Sequence, residues 1–131
     1  MNKLRYIPGD LVYVPKFSNN IYKVISCGTY PYEVRDMDDN DAITEESSIV
    51  PIPLTTEILG KNGWRKLKSK RYTWWKARFD GVYYFIKPNK DYPSVWELCR
   101  GNTRRRFEKI RYVHQLQHFL FGLGLNHEME V

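Results

Sequence analysis

The sequence predicts an α+β fold: a small antiparallel β-module, a short connector helix, then an antiparallel β-meander packed by a C-terminal α-helix. Three observations lead there. Short runs of β-branched and aromatic residues, broken by Gly, Pro, Asn and Asp, recur on both sides of the middle of the chain. One well-punctuated helical stretch separates them. One apolar stripe at three- and four-residue spacing follows the last strand. The expected organisation is residues 1–50, 51–63 and 64–131 of a 131-residue chain.

In the first region, Gly9-Asp10 turns into a strand at Leu11-Val12-Tyr13-Val14. Ser18-Asn19-Asn20 turns into a second strand, Ile21 to Ile25. Gly28 interrupts, and a third runs from Tyr30 to Arg35, with Pro31 marking an edge or a late start. The polar turn Asp36 to Asp41 precedes one or two further short strands at Ile43 and at Ser48-Ile49-Val50. This spacing predicts a strongly bent sheet or partial barrel, similar in outline to SH3-like modules, an outline that assigns no role. Asp36, Asp38 and Asn40 alternate as in a calcium loop. The glycine and glutamate of an EF-hand are missing, which leaves a solvated turn.

The stretch Pro51 to Trp64 reads as a connector. Pro51 and Pro53 keep the chain out of a ladder and extended. Thr55 is a good N-cap, Glu57 sits near the positive end of the helix dipole, and Ile58 and Leu59 give the buried side. Asn62-Gly63 can end the helix in the left-handed conformation, and Trp64 anchors it.

After it, Arg65 to Arg71 is basic and weakly apolar, expected as a loop or a frayed strand start. Tyr72 to Lys87 forms a hairpin around Asp80-Gly81, a favoured type I′ turn. That turn pairs Phe79 with Val82, Ala77 with Tyr84 and Trp75 with Ile86 on an apolar face. It pairs Arg78 with Tyr83, Lys76 with Phe85 and Trp74 with Lys87 on a face both basic and aromatic. Pro88 and Pro93 end strands, and Val95 to Cys99 is a third strand. A turn at Gly101-Asn102 leads to a fourth, Thr103 to Ile110, pairing Trp96 with Phe107 and Glu97 with Arg106. A helix from about Tyr112 to Leu123 carries Val113, Leu116, Leu120 and Leu123 as its stripe, widened by Phe119, and is expected to cover the apolar face. The segment from Asn126 to Val131 is expected as a short acidic coil.

The net charge of +6 conceals a split. Residues 1–60 hold 5 Lys+Arg against 9 Asp+Glu, residues 61–111 hold 16 against 4, and residues 112–131 hold two glutamates and no Lys or Arg. A concentrated positive segment governs partners more than the total does. Cys27 and Cys99 are far apart, which fits free thiols in a reducing compartment. With no leader pattern and no apolar run near the ~18–20 residues of a membrane span, a cytoplasmic protein is expected.

His114 and His118 have helical metal-ligand spacing, but Gln115 stands where a zinc protease needs its glutamate base, and no third ligand is placed. No nucleophile signature or phosphate loop accompanies them. The expectation is therefore a non-enzymatic protein without cofactor or metal. The binding candidates are Trp74, Lys76, Arg78, Tyr83, Phe85 and Lys87, with Arg104 and Arg106 beside them. Aromatic rings stack on bases while Lys and Arg track phosphates. Three readings stay open: a protein-binding surface, a sequence-nonspecific nucleic-acid surface, and an internal interface in which the first module covers this face.

Several segments stand in a familiar order. They are Lys3-Leu4-Arg5 with Gly9-Asp10-Leu11-Val12; Pro51-Ile52-Pro53-Leu54-Thr55-Thr56-Glu57-Ile58-Leu59 with Asn62-Gly63-Trp64; and Tyr112-Val113-His114-Gln115-Leu116-Gln117-His118. Together they resemble a group of small uncharacterised proteins of gut-bacterial genomes, prophages and phages. The resemblance spans nearly the whole chain. It implies a mobile-element accessory protein in a bacterial host; for such a protein the first expectation is binding to a protein partner, with or without inhibiting it, and sequence-nonspecific nucleic-acid binding is the alternative. It transfers no catalytic or binding residue, and Arg65 to Arg71 and Arg104-Arg105-Arg106 are more basic than the group's pattern.

Overall fold

The computed structural model describes residues 5–27, 31–68, 73–89, 91–92, 94–101 and 105–131. The interruption at Gly28, the strand start at Tyr30, the basic residues 69–71, Tyr72, Pro93 and the turn and strand start at 102–104 lie outside the described residues.

Alternation builds the first sheet. Its strands are β1 (Leu11–Tyr13), β2 (Ile21–Cys27), β3 (Tyr32–Asp36), β4 (Asp41–Thr44) and, after a 3-10 turn at Glu46–Ser48, β5 (Val50–Pro51). They lie in the order β4-β3-β2-β1-β5, all antiparallel. Val12, Val14, Tyr22, Val24, Tyr32 and Val34 point to one side and close a small core with Tyr6 and Ile49. Leu11, Tyr13 and Ile21 point to the other side and join a larger core. The acidic turn before β4 is satisfied by its own backbone. The Asp36 carboxylate accepts the Asp38 and Asn40 N–H groups at 2.9 Å each. Those bonds, the one from Asn40 first, hold its carboxyl below the usual range. Asp41 pairs with Arg35 at 2.7 Å.

The prolines of the connector do not keep it out of a ladder, as the sequence had implied. Pro51 lies in β5 opposite Val12, and Pro53 bridges Tyr112. The reason is register. The bonds of the bridge are made by the neighbours, Leu54 N–H to Arg111 C=O at 2.9 Å and Val113 N–H to Ile52 C=O at 2.8 Å, so Pro53 needs no N–H. Helix α1 (Thr56–Lys61) then begins with Thr55 Oγ1 accepting the Ile58 N–H at 3.2 Å. It ends at Asn62 and Gly63, the latter at φ +85°, and Trp64 enters the core. The Asn62 side chain donates to Glu130 C=O at 2.7 Å and accepts the Glu130 N–H at 2.8 Å.

The second sheet has five strands, β6 (Arg65–Lys68), β7 (Thr73–Phe79), β8 (Val82–Pro88), β9 (Trp96–Arg100) and β10 (Arg105–Ile110), in the order β10-β9-β8-β7-β6. The β7–β8 register is the expected one, and Asp80 and Gly81 both have positive φ, 51° and 80°. Two expectations are corrected. Of the two alternatives for the basic stretch, residues 65–68 take the strand, an edge strand on β7, giving five strands where about four were expected. A basic strand with one Leu shows no apolar alternation, and β7 supplies its ladder. The β9–β10 register also differs: Trp96 faces Ile110 and Glu97 faces Lys109, not Phe107 and Arg106. The ladder starts with Arg100 opposite Arg105, and a bulge between Arg106 and Glu108 shifts it once more.

Helix α2 (Val113–Gly122) starts where the Gln115 side chain reaches back to the Arg111 and Tyr112 N–H groups, at 2.7 and 3.1 Å. Val113, Leu116 and Leu120 enter the larger core beside Ile86 and Leu98 of the second sheet. Leu123 does not continue the stripe: it lies past the last helical turn and is 44% exposed. Leu125, Met129 and Val131 pack onto the same core.

The polar side of α2 faces the first sheet. Gln117 is fully buried, accepts the Leu11 N–H at 3.0 Å and donates to Gly9 C=O at 2.8 Å and His127 C=O at 3.0 Å. A Cβ on Gly9, whose φ is +96°, would stand 2.8 Å from the His127 ring. Buried Asp10 accepts Ile7 N–H at 2.9 Å and lies 2.6 Å from His118 Nε2. His114 is buried between Tyr6, Tyr112 and His118. No described helix is long and apolar enough to cross a membrane.

Replacing Gln117 by Leu leaves buried backbone groups unpaired and is expected to cost about 3 kcal/mol, read from the urea midpoint at unchanged slope. Burial lowers the His114 pKa from 6.5 to about 4; Asp10 opposes the shift, while His118 and Arg5 add to it. The fold thus favours neutral His114. Its contribution is complete above the unfolded value of 6.5 and is lost as pH falls toward about 4. A loss of about 2 kcal/mol across that window is expected in urea titrations, and His114→Phe should flatten it.

Candidate nucleic-acid interface

The two faces of the second sheet have separate fates. Ala77, Tyr84, Ile86 and Leu98 are buried under α1, α2 and β1. The other face is open. The first module contacts the buried side, so the basic aromatic face is not an internal interface between the two halves.

The rigid β7–β8 pairing positions the side chains. Trp74, Lys76, Phe85 and Lys87 are half-buried, Arg78 is exposed, and Tyr83 is 40% exposed. Lys76 Nζ stands 4.1 Å from the Tyr83 ring centre, and the Arg78 guanidinium 5.4 Å from it. Lys87 Nζ lies 5.0 Å from the Trp74 ring centre, and Trp74 meets Phe85 edge-on at 6.1 Å. Glu97 is the acid on this face. It lies 3.5 Å from Lys87 and accepts from the Asn89 amide at 3.1 Å. Lys87 is thus partly neutralised, and the positive focus falls on Lys76 and Arg78.

The structure brings six of the eight sequence candidates onto one surface: Trp74, Lys76, Arg78, Tyr83, Phe85 and Lys87. Arg106 pairs with Cys99 in the β9–β10 ladder. Arg104 lies outside the described residues. Two residues were missed. Arg65 is exposed and lies opposite Lys76 across the edge; a stretch legible only as a loop or a frayed strand start gives it no register and no face. Exposed Lys109 lies opposite Glu97, a pairing hidden by the β9–β10 bulge. Cys99 is buried. His114 and His118 turn toward Tyr6 and Asp10 at the joint with the first module, and among the described residues no cluster of His, Cys, Asp and Glu is arranged to hold a metal.

An exposed cation–π contact is worth about 0.5–1 kcal/mol. A nucleobase stacked on an aromatic side chain is worth about 1–3 kcal/mol. A stacked base is thus worth more to such a ring than the ammonium over it. Comparison with known proteins finds no matching family model, no matching curated protein and no matching solved structure.

Because the face is open, Lys76→Ala and Tyr83→Ala are expected to change stability by less than about 1 kcal/mol. Ile86→Ala on the covered side should cost about 2–5 kcal/mol. Parallel urea denaturation of the three variants checks this.

Proposed function

We propose that this protein binds nucleic acid through the open face of its second sheet, without catalysis. The observation that carries the reading is the exposed Tyr83 ring flanked by Lys76 and Arg78, with Arg65 beside them on the edge strand. Phosphates are held by these cations, and no base edge need be read. The site has the charge for a polyanion: residues 61–111 hold 16 Lys+Arg against 4 Asp+Glu.

A second reading gives the protein a partner protein, with or without inhibition of it, as is expected of a mobile-element accessory protein. What favours it is the first sheet, where Met37 and Ile43 are 74% and 64% exposed. The sheet order β4-β3-β2-β1-β5, with a 3-10 turn before β5, supports reading this region as an SH3-like module. In either reading the chain is an accessory protein of a bacterial cytoplasm.

The double variant Lys76→Glu, Arg78→Glu is expected to lower affinity for an unstructured oligonucleotide at least tenfold with unchanged melting. The slope of log affinity against log salt should become shallower by about 0.7 for each lost phosphate contact. Equal affinity of variant and wild type would sink the nucleic-acid reading and leave the partner-protein one.

A further inference from the structure

The nucleic-acid reading above is the footing for this step. We infer that the ligand is a single strand, and that its bases take the ring positions now held by Lys76 and Lys87.

The width of the sheet argues first. Five strands at about 4.8 Å separation span roughly 19 Å. A major groove about 12 Å wide admits a helix or a two-stranded ribbon, not this surface. The strands that carry the three rings, β7 and β8, are flanked on both sides, so they cannot enter a groove as a free ribbon.

Ring spacing argues second. Tyr83 and Phe85 are alternate residues of one strand, so they are about 6.8 Å apart along it. Trp74 follows at 6.1 Å from Phe85 on the neighbouring strand. Along the strand these positions are spaced at about twice the 3.4 Å rise of stacked bases in a duplex strand, and the edge-on contact of Trp74 with Phe85 leaves Tyr83 and Trp74 as the rings whose faces lie under a lysine. Duplex bases are stacked on each other and offer only their edges. A strand drawn out to the ring spacing sets successive bases against successive rings.

The cations argue third. Lys76 and Lys87 already cover the rings at 4.1 and 5.0 Å. A base arriving on Tyr83 or Trp74 displaces an ammonium on a flexible stem, which then lies within reach of the adjoining phosphate. Base and phosphate are thus recognised by one exchange. A polyanion without bases cannot drive it. Glu97, beside Lys87, marks the end of the favourable track.

The test titrates the whole chain, at one ionic strength, with an oligothymidylate, a duplex of equal strand length and an inorganic polyphosphate of equal charge. The oligothymidylate is expected to bind at least tenfold more tightly than either other ligand and to quench tryptophan emission. Tyr83→Leu and Trp74→Leu should each weaken it about tenfold with the salt slope unchanged. Equal affinity for duplex or polyphosphate would overturn the exchange while the polyanion reading of the face survives. Absence of binding to all three at low salt would overturn both.

Discussion

One buried carboxamide holds this molecule in register. Gln117 projects from α2 into the first sheet, takes the N–H of Leu11, and gives its two hydrogens to the carbonyls of Gly9 and His127. All three partners are backbone, so the bond pattern fixes chain positions rather than side-chain choices. Because the group is fully buried, each unmet partner would cost the full desolvation of a polar group. The helix is thereby pinned to β1 on one side while Leu116 and Leu120 lie on the second sheet. The functional proposal depends on this arrangement. With α1, α2 and β1 occupying one face of the second sheet, the other is left to solvent.

The ladder between 52–54 and 111–113 works to the same end. It joins the connector to the entry of α2 by two backbone bonds around Pro53. Trp96 adds an indole bond to Leu54 C=O at 3.0 Å. The two sheets are therefore tied by directional polar bonds inside a shared apolar core, and that fixes which face of the meander is covered.

What the sequence disclosed was whatever local chemistry dictates. Asp80-Gly81 sets its turn type through two positive φ angles, and the hairpin register follows from it residue by residue. Thr55 and Gly63 bound α1 for equally local reasons. The candidate surface was legible for the same reason, since six of its residues belong to that one hairpin. The misses have tertiary causes. Strand β6 carries no pattern of its own and exists through β7. The β9–β10 pairing passes through a bulge that no turn residue announces. Gln117 looks like any polar helix residue until the Leu11 amide is placed against it. His114 and His118 attract attention as a metal pair, yet the partners that define them, Tyr6 and Asp10, come from the far end of the sequence.

Strand β1 serves two cores at once, Val12 on one side, Leu11 and Tyr13 on the other. The first of these cores is built from residues 6–49 and is complete early in synthesis. The second waits for α2, which leaves the ribosome about 70 residues later. Until then the growing chain carries a formed sheet with one apolar side bare and the Leu11 amide without its glutamine. The synthesis of residues 64–110 is thus the interval in which Leu11, Tyr13 and Ile21 stay uncovered, and slow translation through it would prolong that exposure.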